Sequence, residues 1–455
     1  MDPLSLKEIA EMSGAKIVQG EPAICVSRIS KDTRTIQPGD LYLALCGENF
    51  DGNSFAAAAA TRGAAAALVD DPLAAASLPE NFPVLLCGSG LAALSRLAAS
   101  WRARLNLKVL AITGSNGKTS TKEFAAAVLG TRFKVVKTEG NLNNHIGLPL
   151  AILSASTSDT AAVWEIGMNH PGEVAPLAAL AKADAAIITN IGIAHIEHML
   201  TREAIAQEKG MLAEAIPQEG FVVLSAEDDL TGSLALRTKA RVIRVGLSTG
   251  SITATSLVES LTGCSFTANI GGTAYPASIP CNGTHMVRNA LFAVAAGIEL
   301  GVPPAAAVAA LAHTRMAGGR LQHRTIRGIS FLDDTYNANP DSMVAALSTL
   351  RALPGSGRRI AVLGRMGELG SYAEEGYRLA GLAAGKNADI LITVGAETAP
   401  LADAAREAGL GRIHEVDDTA SASLMLVNLA RPGDIVLVKG SRSAHMESVL
   451  KHFDQ

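Results

Sequence analysis

Aromatic residues are scarce: ten Phe, five Tyr and two Trp make up 4% of the 455 residues. A core built with so few of them must rely on small aliphatic side chains and close backbone approach, which the 43 glycines and the Ala-rich stretches suit. Cysteine is rare too. Cys25, Cys46, Cys87, Cys264 and Cys281 are scattered and odd in number, with no Cys-x-x-Cys and no His–Cys ligand spacing. That excludes a disulfide framework and a zinc ribbon and predicts reduced thiols in a cytoplasmic protein. No apolar run reaches the roughly 18 residues a membrane span needs. The Ala-rich runs 55–60 and 63–69 are broken by Thr61-Arg62 and Asp70-Asp71. The first ten residues mix charges and hold no apolar core, so no signal peptide is expected. Neither sign of charge dominates, since 39 Lys and Arg stand against 43 Asp and Glu. That argues against a nucleic-acid binder. With 48% hydrophobic and 18% charged residues, the chain is not disordered either.

What is present is alternating α/β text, long enough for about three domains at roughly 150 residues each. Residues 1–103 carry short apolar runs, Leu41–Leu45 and Pro83–Leu86, between turns and Ala-rich helical stretches, as in a small α/β domain. From Leu107 the pattern becomes strand, Gly-rich turn, helix, and repeats through Thr160–Ile166, Ala185–Ile191 and Phe221–Leu224. This predicts a mostly parallel sheet covered by helices over 104–316, with an antiparallel appendage at 241–280. Ala312–Arg320 reads as a linker. Beyond it the apolar runs Gly328–Asp333, Arg359–Leu363, Ile390–Val394 and Asp434–Val438 predict a second doubly wound, Rossmann-like unit over 317–455.

The segment Ala111-Ile-Thr-Gly-Ser-Asn-Gly-Lys-Thr119 follows a predicted strand and opens a predicted helix. Gly114 and Gly117 permit backbone conformations in which the N–H groups of Ser115, Asn116 and their neighbours converge on one anion. The N-terminus of the predicted helix Thr119–Leu129, with Ser120 in its first turn, adds its positive end. Lys118 can neutralise phosphate oxygens, and the Thr119 hydroxyl can ligate Mg²⁺. The general phosphate-loop pattern has glycine where this chain has Ile112. Ligands of a doubly wound sheet bind at the carboxyl ends of its strands. Glu165, near the end of one run, is therefore either a Mg²⁺ ligand of that site or a solvated strand-end carboxylate. His195, which follows another run and has His198 nearby, is either a metal ligand or a hydrogen-bonded histidine at a domain edge. Lys209, in Ala-Gln-Glu-Lys-Gly, reads from its residues alone as a helix-surface lysine. Asp333-Asp334 can equally be a strand-ending turn, and Lys439–Arg442 a helix cap.

Beyond that loop, longer segments carry a resemblance. They are Ser30–Leu41 with Gly47–Gly52, Gly140–Pro149, Asn282–Ala290, Leu332–Pro340, Gly364–Gly370 and Val438–Ser443. Together they resemble the bacterial Mur ligases across essentially the whole chain, and among them the branch that adds a dipeptide. The Asp-Asn-Pro-Arg segment of the sibling that adds a single third residue is absent. The resemblance implies three α/β domains: one for the UDP substrate, a central phosphate-loop domain for ATP, and a C-terminal Rossmann-like domain. It implies ATP-driven amide formation between UDP-MurNAc-tripeptide and D-Ala-D-Ala through an acyl phosphate, by a monomer that needs neither nucleic acid nor membrane.

By the same resemblance, Thr119 and Glu165 hold one Mg²⁺ and His195 helps hold a second. Lys209 falls where these ligases carry a carbamylated lysine, an oxygen-bearing anion in place of an ammonium. Asn289 falls at the adenine, Arg320 at a phosphate, Asp334 at the ribose, and Tyr336 and Asn337 near the nucleotide. Asn143 and Asn144 fall at the UDP-sugar, and Ser30, Asp32, Thr33 and Arg34 at the uridine end. Lys439, Ser441 and Arg442 fall where the dipeptide or acyl phosphate would lie. The rival expectations are another Mur ligase or a folylpolyglutamate synthase, a phosphate-loop NTPase switch, and a small-molecule kinase.

Overall fold

The structure, a computed structural model, describes residues 1–47 and 50–454; of the Gly47–Gly52 segment, Glu48 and Asn49 lie outside the described residues. The chain gathers into two compact units. One comprises residues 1–111, 133–167 and 175–183, the other 112–132, 168–174 and 184–455.

In the first unit, the apolar runs Leu41–Leu45 and Pro83–Leu86 give two strands of a five-stranded sheet, and three more join them. Its order is Lys16–Gln19, Val84–Leu86, Ala66–Val69, Asp40–Leu43, Arg28–Ser30. The pairs are parallel except the edge pair of Lys16–Gln19 with Val84–Leu86. Asp40–Leu43 and Ala66–Val69 are buried at every position, as continuous apolar runs in a covered parallel sheet should be. The core beneath them includes Ala44, Ala56, Ala59, Ala64, Ala67 and Ala75, so small side chains substitute for aromatic bulk. Its one tyrosine, Tyr42, donates its hydroxyl to the Gly52 carbonyl at 2.8 Å, which satisfies the polar tip. The helix Gly90–Arg104 starts on a Ser89 cap and ends with two arginines in its last turn. Arg102 there donates to the carbonyls of Leu105, Ala181 and Lys182, taking up orphaned helix-end acceptors. This unit also holds the parallel strands Val135–Lys137 and Ala161–Glu165.

The second unit begins in the last residues of the strand Lys108–Thr113. Ala185–Ile188, Phe221–Ser225 and Arg241–Val245 run parallel. Ile252–Ser260, Gly263–Ile270 and Thr273–Ile279 then form an antiparallel meander. The appendage expected at 241–280 is thus real, but its first strand belongs to the parallel part. The helices Lys118–Leu129 and Thr284–Glu299 pack closely. A Cβ on Gly297 would lie 2.3 Å from Val128 Cγ1, so only glycine permits the approach.

After the short turn Leu311–His313, the expected linker is irregular through Arg320. A six-stranded sheet follows, in the order Gln322–Ile326, Ile329–Asp334, Ile435–Lys439, Arg359–Leu363, Ile390–Val394, Ile413–Val416. Its first pair is antiparallel and the rest are parallel. The register places Asp334 and Leu363 on either side of Lys439 at the carboxyl ends of the strands, where a doubly wound sheet takes its ligands. Among the described residues no helix is long and apolar enough to cross a membrane.

Candidate active site

The phosphate loop is folded as its sequence demands. Gly114 and Gly117 have φ of +144° and +81°, a region that side chains other than glycine rarely occupy. A Cβ on Gly114 would also fall 1.9 Å from Thr189 Oγ1, and one on Gly117 2.6 Å from Asn289 Oδ1. The asparagine expected at the adenine therefore packs directly on the loop. Lys118 folds back and donates to the carbonyls of Gly114 at 2.8 Å and Ser115 at 3.3 Å. Thr119 and Ser120 are buried in the first turn of the helix.

The loop is braced from the next strand. Thr189 Oγ1 donates to the Asn116 carbonyl at 2.6 Å, and the Asn116 N–H donates to Asn190 Oδ1 at 2.8 Å. Ser115 Oγ donates to the Gly192 carbonyl and accepts its N–H. Two residues past the strand 329–334 add to the bracing. Asn339 Nδ2 donates to Asn116 Oδ1 at 2.8 Å, and Asp341 Oδ2 accepts the Ile193 N–H at 3.0 Å.

That bracing leads to His195, whose backbone sits in the left-handed region with φ of 64°. Its Nδ1 lies 2.5 Å from a carboxylate oxygen of Glu368. Glu368 is itself left-handed, with φ of 59°, and its carbonyl accepts the Glu197 N–H. Burial lowers the His195 pKa, with the nearby Lys118 and Lys209 charges adding to it, while Glu368 works against the shift. The histidine holds the Glu368 carboxyl below its ordinary range, although burial opposes this.

Lys209 corrects the reading of a surface lysine. It lies on the helix Arg202–Glu214, is fully buried, and its Nζ has no hydrogen-bond partner among the described residues. Burial first, and Lys118 second, push its pKa well below the ordinary value, against the pull of Glu208. Glu208 is itself occupied, accepting the N–H groups of Gly172 and Val174. Lys118, His195 and Lys209 thus share one electrostatic neighbourhood.

On the strand-end side, Arg320 Nη2 donates to Thr119 Oγ1 at 2.9 Å, and its guanidinium carbon lies 4.1 Å from the centre of the Tyr336 ring. Asp334 Oδ2 accepts from the buried Lys439 Nζ at 2.6 Å, and its Oδ1 accepts the Leu321 N–H. Lys439 also donates to the Asn337 carbonyl at 2.9 Å. Near this pair lies His285, whose pKa burial lowers to about 4. Ser441 is buried and exchanges a hydrogen bond with Ser443. Arg442 points elsewhere, exposed and 3.5 Å from Glu447.

The remaining expected residues lie in the first unit. Glu165 ends its strand almost fully buried. Its N–H donates to Thr138 Oγ1, and its Oε1 accepts from Asn143 Nδ2 at 2.8 Å. Asn143, expected at the sugar, therefore also fixes this carboxylate, and Asn144 Oδ1 accepts the Gly147 N–H at the start of the helix Gly147–Ser154. Ser30 and Asp32 precede a 3-10 turn over Thr33–Thr35, with Asp32 as its cap and its carbonyl accepting from Ser30 Oγ. Asp32 grips Arg34, which lowers the aspartate pKa to about 2. The Thr33 carbonyl accepts from Arg62 at 2.9 Å.

These groups fit a magnesium nucleotide. The loop supplies N–H donors and one cation, Lys118, and Thr119 beside it is a hard oxygen donor of the kind Mg²⁺ prefers, as is Glu165 in the first unit. Among the described residues no three His, Cys, Asp or Glu side chains form a metal cluster. Mg²⁺ does not require one, because waters and phosphates complete its shell. The orphaned Lys209 Nζ asks for a partner or a modification, as a carbamylated residue would provide. Reading the residues missed Thr189, Asn190, Asp341, Glu368 and His285. The last two lay inside quoted segments, while Thr189-Asn190 closed a predicted strand and signalled only a turn.

Three family models match the chain. They are described as Mur ligase family, catalytic domain, over residues 25–102; Mur ligase middle domain, over 112–297; and Mur ligase, glutamate ligase domain, over 319–442. The UDP-N-acetylmuramoyl-tripeptide–D-alanyl-D-alanine ligase of Bacillus subtilis (strain 168) is 35% identical over 452 residues, covering 98% of this chain and 97% of that protein. MurF from Acinetobacter baumannii superposes with a TM-score of 0.89 at 30% identity, over 100% of this chain and 99% of that one. MurF ligase from Thermotoga maritima in complex with ADP gives 0.82 at 25% identity, over 94% and 97%. The chain belongs to the Mur ligase family, in its MurF group.

Proposed function

We propose that the chain joins D-alanyl-D-alanine to UDP-N-acetylmuramoyl-tripeptide, with ATP as the energy source, giving UDP-MurNAc-pentapeptide, ADP and phosphate. A carboxylate is a poor electrophile with no leaving group. Transfer of the γ-phosphoryl group to its oxygen makes an acyl phosphate, which the dipeptide amine attacks. The tetrahedral adduct then expels phosphate and leaves an amide. Such chemistry asks the protein mainly for positioning and charge neutralisation. What carries the reading is the full-length likeness to ligases named for D-alanyl-D-alanine, on a chain that keeps a phosphate loop with Lys118 folded over it.

In this reading, the loop N–H groups and Lys118 hold the β- and γ-phosphates, and Arg320 moves from Thr119 onto phosphate. Asn289 meets the adenine and Asp334 the ribose, with Tyr336 and Asn337 beside them. Thr119 and Glu165 would hold one Mg²⁺, and His195 a second. When bound, the ions neutralise charge on the phosphates. Lys209, held neutral by burial, is a nucleophile toward CO₂: its nitrogen bonds the carbon, loses a proton, and becomes a carbamate. Ser30, Asp32, Thr33 and Arg34 hold the uridine end, Asn143 and Asn144 the sugar, and Lys439 and Ser441 the incoming dipeptide. Arg442 would have to release Glu447 to join them. The domains run 1–103, 104–316 and 317–455.

The test is phosphate release with each substrate omitted in turn. Release that needs ATP, UDP-MurNAc-tripeptide and D-Ala-D-Ala together is expected. Comparable release from ATP alone would overturn the reading in favour of an NTPase. Equal release with D-alanine in place of the dipeptide would move it to a sibling ligase.

A further inference from the structure

Asn339 does two jobs with one side chain. It is the N-cap of the helix Pro340–Ala352, its Oδ1 accepting the Ser342 N–H at 2.9 Å while Ser342 Oγ answers its own N–H. The cap fixes which end of the amide is oxygen, so Nδ2 is the end that reaches the phosphate loop and donates to Asn116 Oδ1. Two residues on, Asp341 takes the Ile193 N–H, in the segment that leads from the loop to His195. The fit there is tight: a Cβ on Gly192 would lie 2.1 Å from Asp341 Oδ2. One helix start therefore grips both the loop that carries Lys118 and the backbone that carries His195. The same helix follows the strand ending in Asp334, which is locked to Lys439. The parts proposed to hold the phosphoryl donor and the amine are joined through these two side chains.

We infer that Asn339 and Asp341 are positioning residues that hold the phosphate loop against the strand-end side of the site, so that the acyl phosphate meets the amine before it meets water. The inference rests on the proposed function. Neither residue needs to touch substrate. Their role is to keep the activated carboxyl and the dipeptide in register and to close the gap through which water would enter. A loosened grip would thus leave phosphoryl transfer running while amide formation lags, and the lost acyl phosphate would hydrolyse to carboxylate and phosphate.

The experiment measures phosphate released per pentapeptide formed, with ATP, UDP-MurNAc-tripeptide and D-Ala-D-Ala all present. Asn339→Ser keeps a capping oxygen but removes the Nδ2 donor to Asn116 Oδ1, and Asp341→Ala removes the acceptor for Ile193. For the unmodified protein the ratio should be about one; in both variants it should rise to about two or more, with pentapeptide formation about tenfold slower. Asp341→Asn keeps a carbonyl oxygen facing Ile193 and should restore the ratio. Should Asp341→Ala fail to fold, Asp341→Glu, which moves the carboxylate by one methylene, takes its place with the same expectation. A merely structural role would lower melting temperature and rate together and leave the ratio at about one, and that result overturns the inference. If the unmodified protein made no pentapeptide, the proposed function would fall and the clasp formed by Asn339 and Asp341 with it. A normal wild-type ratio with unmoved variants would sink the clasp alone.

Discussion

An ammonium taken out of water without a partner is costly, so Lys209 must be neutral or chemically altered in the folded chain. The sign of its pH effect follows. With the folded pKa far below 10.5, the unfolded chain binds a proton that the folded chain does not, over the whole interval between the two values. That penalty fades as pH rises through 10.5, above which both states are neutral. Lys209→Met should therefore be more stable than the parent at pH 7 in urea titrations, and the gap should narrow as pH rises toward 10. Ligase turnover in the variant should fall about a hundredfold or more. A variant less stable at pH 7 would show that the lysine is already held by a favourable partner. The charge of the side chain, which by residue type belongs on a surface, hid this residue's burial. The helix Arg202–Glu214 buries Glu208 and Lys209 at three and four residues from Ile205 and on one face with Leu212, so two charges sit on the face that periodicity assigns to the core. The phosphate loop was legible because glycine, lysine and threonine there answer to backbone geometry and charge, which residue types report directly.

Elements were easier to read than residues. Strands of a covered parallel sheet appear as unbroken apolar runs, and Phe221–Ser225 and Ile390–Val394 stand almost as expected. Ala185–Ile191 is cut at Ile188 because Thr189 and Asn190 turn their side chains to the phosphate loop. Arg241–Val245 joins the parallel strands because its partner is Phe221–Ser225, a long-range choice that local pattern does not encode. Helix packing was invisible until the glycines were placed. Gly297 lets Thr284–Glu299 lie against Lys118–Leu129, which ties Asn289 to the start of the phosphate-loop helix. Gly297→Val should destabilise the chain by about 1–3 kcal/mol and raise the KM for ATP. An unchanged urea midpoint would mean that the two helices can separate without cost.

At the scale of the whole molecule, small side chains and glycine contacts do what aromatics do elsewhere, and near-neutral charge suits a protein that meets anions with local loops. Binding should then register as stability. A non-hydrolysable ATP analogue with Mg²⁺ at a hundred times its Kd should stabilise the chain by about 2.7 kcal/mol. Lys118→Ala should lose most of that shift, and an equal shift in the variant would remove the lysine from the phosphate site. The central claim is that the peptide carboxyl is itself phosphorylated before the amide forms. It is tested most directly with UDP-MurNAc-tripeptide carrying ¹⁸O in the reacting carboxylate, by mass analysis of the released phosphate. If the carboxyl oxygen bonds to phosphorus and leaves with it, each phosphate formed with pentapeptide carries one ¹⁸O atom from the peptide. Pentapeptide formed alongside unlabelled phosphate would contradict the account.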